Sequence, residues 1–297
     1  EFMTHRVFSR NASSSRAIPV KKMLDDAINN PAMPVFWGKN QAGMQAAEEL
    51  DNVIKRPRNA TFGSGAKNTT AFIGDLTDME YAKFLLLEAR DNAVKSVEAM
   101  QVVGLHKQIA NRLLEPWMHI TVIATCTQHQ NYFALRAHKD AQPEFQSLAY
   151  LMLDLYQSSE PKRLAEGEWH IPFGDKIDER RILEGNSFNS GLHPAASSWD
   201  MEQLVQELVK KIATARCARV SYLNFDGKDD YEADIALADR LSQSGHWSPF
   251  EHVAQALPNS ELSGNFVGWK QYRKFFNTEN KGDGRVNLYK SISGWKS

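Results

Sequence analysis

The stretch TDMEYAKFLLLEARDNAVKSVEAMQVVG, residues 77–104, predicts the longest helix of the chain. Thr77 and Glu80 have the spacing of a capping box, in which each side chain accepts a hydrogen bond from the other residue's backbone N–H. The apolar residues between Tyr81 and Val103 can supply a long and largely buried helix, which Gly104 is placed to end. Because no strand alternates regularly with such helices, we predict an α+β fold rather than a doubly wound sheet.

The remaining chain mixes helical and extended patterns. A strand is predicted at residues 119–126 (HITVIATC), which are short and β-branched, and another at residues 251–257. Pro116 is expected to stop the helix that precedes the first of these strands. The predicted helices besides the long one cover residues 18–28, 107–114, 130–135, 143–157, 200–216 and 231–241.

Two polar stretches have no periodic pattern. Residues 55–68 (KRPRNATFGSGAKN) are basic and contain glycine, so we predict a mobile loop. Within that stretch, residues 63–67 resemble a phosphate loop only faintly, because they lack both the Walker spacing and a preceding strand. Residues 158–198 contain three prolines and are predicted to form an irregular connection.

Composition limits the classes of function. The chain has 297 residues, of which 42% are hydrophobic, so one large domain or two modest ones can bury a core. The formal net charge is -1, which provides no overall field for duplex DNA or an anionic membrane and makes any anion site local. Cys126 and Cys217, both expected to be buried thiols, are too few for a disulfide framework or a four-cysteine zinc site.

Targeting signals are also absent from the sequence. No run of 18 or more apolar residues and no charged-then-apolar leader is present, so we expect neither a membrane span nor secretion, and a cytoplasmic location. The chain opens inside a candidate motif, which suggests either that a preceding strand is missing or that Met3 is a cloned start.

The first candidate site is residues 5–16 (HRVFSRNASSSR), which place three arginines, one histidine and four serines in a short polar stretch. Guanidinium groups form forked hydrogen bonds with phosphate, and hydroxyl and backbone N–H groups can complete an anion site. The alternatives are a solvated basic turn, or a serine nucleophile, for which no neighbouring residue supplies a base.

The second candidate site comprises Asn111, Arg112 and residues 131–136 (NYFALR), with residues 141–144 (AQPE) beyond them. Arg112 and Arg136 each lie in an apolar local context, and a buried guanidinium requires a partner or a ligand to offset its lost hydration. The alternative is an internal ion pair with Glu115 or Glu144.

The third candidate site is residues 246–252 (HWSPFEH), which combine hydrogen-bond donors, an acceptor and aromatic surface beside a predicted strand. Such a set suits a flat polar ring system that carries phosphates. His246 and His252 could also be core residues or a weak metal pair, but no third ligand stands at a recognised spacing, so we predict no metal.

Together the three sets resemble the motifs of the flavin-dependent thymidylate synthases, whose signature is Arg-His-Arg-x-x-Ser-x-Asn-Glu-x-Ser-x-Arg. Thr4 stands where the first arginine of that signature belongs, and Ala12 stands where its glutamate belongs. The residues that match in register are His5, Arg6, Ser9, Asn11, Ser14 and Arg16.

The other two sets resemble later and earlier segments of that family. Arg112 precedes a Leu-x-x-Pro run and Arg136 follows an Asn-containing aromatic stretch, as two nucleotide-contacting arginines of the family do. Residues 218–222 and 246–252 are similar to a segment that normally precedes the arginine motif, and residues 266–274 to the strand that leads into it. The order of segments therefore resembles a circular permutation, which is possible where the original termini lie close together.

The resemblance implies a Thy1-like fold, with a central sheet flanked by long helices, in a single catalytic domain over residues 1–297. Residues 1–157 would carry the arginine motif and the nucleotide site, residues 158–198 the irregular connection, and residues 199–297 the flavin-binding part. It also implies a homotetramer, with sites built from several subunits, that binds neither nucleic acid nor membrane.

The implied reaction is reductive methylation of dUMP to dTMP, with methylenetetrahydrofolate as carbon donor, FAD as cofactor and NADPH as reductant. Members of the family use no enzyme nucleophile. Arg136 would be catalytic by polarising the pyrimidine. Substrate binding is implied for Ser14, Arg16, Arg112 and Arg136, and flavin binding for His5, Arg6, Asn131, Leu135, His246, Ser248 and Glu251.

Two alternatives follow from the substituted positions Thr4 and Ala12. The first is a related flavin-dependent enzyme that hydroxymethylates dUMP or acts on dCMP. The second is a nucleotide-binding homologue that has kept the scaffold without turnover.

Overall fold

A computed structural model describes residues 4–63, 68–184, 200–221 and 229–279. Helices contain 48% of the residues in this structure and strands contain 15%, and the strands form small sheets. The fold is therefore of the mixed α and β class that the sequence predicts. Within the described residues, no helix is both long and apolar enough to cross a membrane.

The regular elements are named here in chain order. The helices are α1 (Val20–Asn29), α2 (Asp78–Val102), α3 (Lys107–Ala110), α4 (Gln130–Arg136), α5 (Pro143–Ser158), α6 (Glu179–Glu184), α7 (Met201–Ala218) and α8 (Tyr231–Gln243). The strands are β1 (Ser9–Ala12), β2 (Arg56–Phe62), β3 (Thr69–Leu76), β4 (Val122–Thr125), β5 (Trp169–His170), β6 (Ala254–Ala256), β7 (Leu262–Ser263), β8 (Phe266–Val267) and β9 (Trp269–Gln271). Short 3-10 helices cover Asn111–Trp117, Gly174–Lys176, Arg219–Ser221, Ser248–Glu251 and Tyr272–Phe275.

The chain divides into two compact units. The first unit contains the described residues up to 13, from 121 to 131 and from 160 onward. The second unit contains those from 14 to 120 and from 132 to 159. The boundary falls inside α4, so Asn131 belongs to the first unit and Arg136 to the second.

The second unit is built on α2, whose start agrees with the sequence prediction. The Thr77 hydroxyl accepts a hydrogen bond from the Glu80 N–H at 3.1 Å, and the Glu80 carboxylate accepts one from the Thr77 N–H at 2.9 Å. At the other end Gly104 adopts a positive φ of 77°, which favours glycine because it lacks a Cβ. The capping box and the terminating glycine are therefore both confirmed.

Replacing Thr77 by alanine should lower the free energy of unfolding by about 1 kcal/mol, because the Glu80 N–H loses its acceptor at the start of a 25-residue helix. Urea denaturation followed by circular dichroism measures this loss. Thr77→Ser keeps the hydroxyl and should recover most of the stability, so equal losses for both variants would contradict a capping role.

The expectation that α2 is largely buried is wrong. Among its residues only Val94 and Val97 are buried, and Leu85 is 43% exposed. The buried stripe is narrow because a single face of α2 meets α1 and the 3-10 helix Asn111–Trp117. The core of the second unit consists of Met23, Leu24, Ala27, Val94, Val97, Ala110, Leu114 and Trp117.

Within the predicted mobile loop at residues 55–68, Arg56–Phe62 instead form β2, which pairs antiparallel with β3. Cross-strand pairs of β-branched and aromatic residues, such as Thr61 with Thr70, stabilise a pleated ribbon that local composition did not reveal. Arg56 and Arg58 both bind Asp78 at the start of α2, which holds the hairpin to the helix. Residues 64–67, which include most of the faint phosphate-loop pattern, lie outside the described residues.

The prediction that Pro116 stops a helix at residues 107–114 is also wrong in detail. Helix α3 ends at Ala110, and the chain continues as the 3-10 helix Asn111–Trp117 with Pro116 inside it. The tighter 3-10 turn needs no i to i−4 hydrogen bond, so it tolerates proline better than an α-helix does. Leu114 and Trp117 are thereby turned into the core.

The first unit contains three small antiparallel sheets. Strand β1 pairs with β4, β6 lies between β5 and β9, and β7 pairs with β8. Helices α7 and α8 pack together around a core of Ile182, Val205, Leu208, Val209, Ile212, Tyr231 and Ile235. A second cluster, next to the 3-10 helix Ser248–Glu251, contains Ala213, Phe250, Val253 and Tyr272.

Part of the predicted irregular connection is regular. Residues 158–198 contain β5, the 3-10 helix Gly174–Lys176 and α6, whose Ile182 is buried in the core, while residues 185–198 lie outside the described residues. The predicted strands at 119–126 and 251–257 are shorter, at Val122–Thr125 and Ala254–Ala256.

Candidate functional site

The first half of the arginine-serine stretch lies in the first unit and leads into β1. His5 is buried and packs edge-on against Phe8, with ring centroids 6.5 Å apart. Arg6, one residue further, is exposed. The His5 side chain is thus packed inside the first unit, whereas the Arg6 side chain is accessible to an anionic ligand.

Ser9 is buried at the start of β1 and is held by residues from the far end of the chain. Its hydroxyl donates to Asn265 Oδ1 at 3.3 Å and accepts from Gln271 Nε2 at 3.0 Å. The Asn265 amide also donates to the Val7 carbonyl at 3.0 Å. The amides of Asn265 and Gln271 therefore position the motif, a role that sequence reasoning missed because both partners lie more than 250 residues from Ser9.

The third set lies against this same strand. Strand β1 packs on the 3-10 helix Ser248–Glu251, and Asn11 donates to the Cys217 carbonyl at the end of α7 at 3.3 Å. His252, which follows that 3-10 helix, hydrogen-bonds through Nδ1 to Thr125 Oγ1 of β4 at 2.8 Å. Residues about 240 positions apart in sequence thus form one local structure within the first unit. Tyr222, part of the resemblance, lies outside the described residues.

The three residues of the third set that were predicted to hold a flavin differ in their availability. His246 and Ser248 are exposed, and His246 Nδ1 lies 2.7 Å from Ser244 Oγ. Glu251 is half-buried in a close ion pair with Arg273, which also binds Glu279 at 2.6 Å. Arg273 was not singled out from the sequence, since it lies 22 residues from Glu251.

His252 is completely buried, and its ring carries an unusual protonation preference. Burial, reinforced by His170 nearby, lowers the pKa of His252 to about 4, so its ring is neutral at physiological pH. Its Nε2 has no hydrogen-bond partner among the described residues.

A second buried titratable group lies between α7 and α8. Asp234 is fully buried and accepts a hydrogen bond from Arg219 Nη2 at 2.7 Å, with Arg216 Nε at 3.9 Å. Burial raises the pKa of Asp234 to about 6, and the two arginines offset part of this increase. The ion pair joins Asp234 of α8 to Arg219, which directly follows α7 and belongs to the segment 218–222 of the resemblance.

These two groups should give opposite pH dependences of stability. The pKa of His252 is lower in the folded chain, so its contribution is present above pH 6.5 and is lost as the pH falls toward 4, by on the order of 3 kcal/mol. The pKa of Asp234 is raised, so its contribution is present below pH 3.8 and is lost as the pH rises through 6.

Denaturation at several pH values separates the two. Asp234→Asn should leave the His252 effect unopposed, so that stability falls more steeply than in the parent as the pH drops from 6 to 4. His252→Asn should do the reverse. Parallel curves for the parent and both variants would contradict both assignments.

The second half of the arginine-serine stretch lies in the second unit, where it is fastened to α3 and the 3-10 helix that follows. Asn111 is buried and donates to the carbonyls of Ser15 at 2.7 Å and Ile18 at 3.0 Å. Lys107 Nζ donates to the Ala17 carbonyl at 2.8 Å. This brings the loop of Ser14 and Arg16 onto the element that carries Arg112.

The expectation that Arg112 is buried is wrong. Arg112 is exposed, and its Nε donates to the Gln108 carbonyl at 3.2 Å. Within the described residues no carboxylate pairs with it. Glu115 instead accepts from Ser15 at 2.5 Å, and Glu144 accepts from Gln142 at 3.1 Å. Arg16 is exposed as well, so both guanidinium groups can meet an anion from solvent.

Arg136 ends α4 in the second unit and is half-buried. The helix is anchored by Tyr132, which is fully buried and donates to the Met152 sulfur of α5 at 3.4 Å. Leu135 and Asn131, both predicted to contact a flavin, are exposed on α4. A cation in the last turn of a helix is favoured by the helix dipole, which stabilises Arg136 at this position.

The cysteines and the possible metal ligands are the groups from which a thiolate nucleophile or a metal site could form. Burial raises the pKa of Cys217 to about 12 and that of Cys126 to about 11, although Cys126 is half-buried rather than fully buried as expected. Neither thiol therefore supplies a thiolate at neutral pH. Among the described residues, no group of three or more His, Cys, Asp and Glu is arranged to hold a metal ion.

No protein-family model, no curated protein and no solved structure matches this chain. Any functional assignment therefore depends on the residues of this chain and on the contacts between them.

Proposed function

We propose that this chain is a flavin-dependent thymidylate synthase with permuted segments, which converts dUMP to dTMP with methylenetetrahydrofolate and NADPH. The strongest support comes from contacts of the arginine-serine stretch, residues 5–16. Its first half lies against the third candidate site, and its second half is bonded to residues near Arg112. In the first unit, β1 packs against the 3-10 helix Ser248–Glu251. In the second unit, the loop of Ser14 and Arg16 is hydrogen-bonded to residues beside Arg112.

The contacts of Ser9 support the permuted order. In the family resembled, the strand that resembles residues 266–274 runs directly into the arginine motif. Here Gln271 of that segment and the neighbouring Asn265 bind Ser9 through their side chains, although 262 and 256 residues separate them from it. A rearranged chain that retains an ancestral neighbourhood is expected to show such contacts between its beginning and its later segments.

The exposed arginines of the second unit suit the nucleotide phosphate. The guanidinium groups of Arg16 and Arg112 can each form two parallel hydrogen bonds with phosphate oxygens. Ser14 adds a hydroxyl on the same loop. Because the whole chain carries a formal net charge of -1, binding would depend on these local groups rather than on a general positive field.

Several exposed residues of the first unit carry hydrogen-bond donors that could bind the polar groups of a flavin. His246 and Ser248 are exposed donors next to aromatic Trp247, and Arg6 is an exposed cation that can pair with its phosphates. Glu251 forms an ion pair with Arg273. Glu251 would therefore hold the Arg273 side chain in place as well as contact the flavin. When bound, FAD would supply the hydride of the reaction.

Arg136 would act on the pyrimidine. A guanidinium donating to a ring carbonyl stabilises the negative charge that develops on that oxygen, and the effect is larger where water is excluded. The inert thiols of Cys126 and Cys217 agree with a reaction that needs no enzyme nucleophile.

The test combines colour, binding and product. Purified protein supplied with FAD should retain flavin absorbance and show a thermal shift with dUMP, and with methylenetetrahydrofolate and NADPH it should yield a product with the mass of dTMP. A hydroxymethyl product, or turnover of dCMP alone, would replace the proposal with a related enzyme. Retained nucleotide binding without flavin or turnover would indicate a non-catalytic homologue, and size-exclusion chromatography tests the expected homotetramer.

A further inference from the structure

A cavity of about 440 Å³ lies in the first unit and is lined by none of the residues predicted from the sequence. Its lining combines polar side chains of α7 with aromatic side chains of β5 and of the segment around the 3-10 helix Tyr272–Phe275. Small-molecule sites in proteins have this size and this combination of aromatic surface with a few polar groups.

The aromatic side chains of the lining contact one another. The Trp169 ring lies 5.7 Å from the Tyr272 ring and 5.1 Å from the Phe275 ring, measured between centroids. Tyr272 is buried, and its hydroxyl is held by Glu207. Flat rings of a ligand can stack on aromatic side chains of this kind.

Lys210 places an ammonium group in the lining of the cavity. Its Nζ lies 4.3 Å from the Trp169 ring centroid and 5.0 Å from that of Tyr272, and it pairs with Glu207 at 2.7 Å. Because this ammonium already faces the aromatic rings, a cationic ligand would meet a like charge. The ammonium has three N–H donors and one is used by Glu207, so it can also donate to an oxygen of the ligand.

The glutamines of the cavity provide donors and acceptors next to each other. Gln255 donates through Nε2 to the Gly167 carbonyl at 2.9 Å, which leaves its Oε1 as an acceptor. Gln203 accepts from the Asp200 N–H at 3.3 Å, which leaves its amide N–H groups as donors. Gln206 has no partner among the described residues and offers both. A ring edge that presents N–H beside C=O, a lactam, complements this set.

We propose that this cavity binds a planar heteroaromatic lactam, the ring type of hypoxanthine and guanine. The ring lies against Trp169 and Phe275, its carbonyl oxygen accepts from Lys210, and its N–H is read by a glutamine carbonyl. The lining residues of this cavity are not those assigned to the proposed function, so variants of the lining test the cavity alone.

Inosine and adenosine provide a matched pair of probes, since they differ only in whether the six-membered ring carries a lactam. Calorimetric titration of the full chain should give inosine a Kd about ten-fold or more below that of adenosine, because a site that hydrogen-bonds a carbonyl rejects the analogue without it. Lys210→Met keeps the hydrocarbon stem and should weaken inosine to the level of adenosine. Lys22→Met, which removes a lysine paired with Asp26 in α1, is the control and should bind as the parent does.

A second variant guards against misfolding. Phe275 is 42% exposed, so Phe275→Leu should fold normally and weaken inosine and adenosine alike, since stacking does not distinguish them. The proposal is overturned if inosine fails to bind at millimolar concentration, if adenosine binds equally well, or if Lys210→Met binds inosine as the parent does while its circular dichroism spectrum is unchanged.

Discussion

Replacing Arg136 by alanine is expected to lower kcat for dTMP formation by about 100- to 1,000-fold, the usual effect of removing one donor that stabilises a developing negative charge. The expectation rests on the proposed function and on the position of Arg136, half-buried in the last turn of a helix that Tyr132 anchors in the second unit. Because no flavin contact is assigned to Arg136, flavin absorbance should be retained. The measurement is steady-state formation of dTMP, with the bound flavin quantified by its spectrum.

Two further arginine variants make this result specific. Arg112→Ala should mainly raise KM, because an exposed guanidinium that binds phosphate contributes equally to the ground state and the transition state. Arg163→Ala changes an exposed arginine outside all three sets and should leave both parameters unchanged. Full activity of Arg136→Ala would remove the catalytic role of this residue, and equal loss in all three variants would point to a general effect of charge.

Replacing Phe250 by alanine is expected to lower the free energy of unfolding by about 3–5 kcal/mol, one of the largest single-residue effects in the first unit. Phe250 is 1% exposed and its ring lies 5.7 Å from that of Tyr272, 5.5 Å from that of Trp247 and 5.3 Å from that of Phe276. Truncation leaves a cavity in this aromatic cluster. Because β1 packs on the 3-10 helix that carries Phe250, the loss should also loosen the segment that is proposed to bind a flavin.

Guanidinium chloride denaturation measures the change in stability, and flavin retention reports on the neighbouring segment. Phe250→Leu fills most of the space and should lose much less. Phe72→Ala removes a ring that is 63% exposed on the hairpin and should change stability by about 0.5 kcal/mol or less. A small effect of Phe250→Ala would show that the aromatic cluster repacks easily and does not organise the unit.

Elements whose signals are local could be predicted from the sequence with nearly correct bounds. Helices α1, α2, α4, α5, α7 and α8 follow periodic apolar patterns, and the Thr77 capping box appears as expected. The failures have a common cause. The hairpin of β2 and β3 was read as a loop because its stability comes from pairs such as Thr61 with Thr70 across the turn, which no single strand reveals.

Residue types alone predicted an anion-binding role for Arg6, Arg16 and Arg112, and this role stays a prediction. All three side chains are exposed, whereas burial had been expected for Arg112. The pairing of Glu251 with Arg273 and the dependence of Ser9 on Asn265 could not be predicted, since a sequence does not state which distant groups meet.

The sequence by itself determined the local elements of this protein, the net charge of -1 that makes any anion site local, and the chemical groups available for a reaction. Helix periodicity, caps and side-chain chemistry act over a few neighbouring residues, so they can be inferred without coordinates. Only the tertiary structure decided that Arg112 faces solvent, that His252 is neutral in a buried position, and that Lys210 stands over Trp169 beside a cavity. Exposure, dielectric environment and distant contacts depend on packing between segments far apart in the chain, and that packing exists only once the chain has folded.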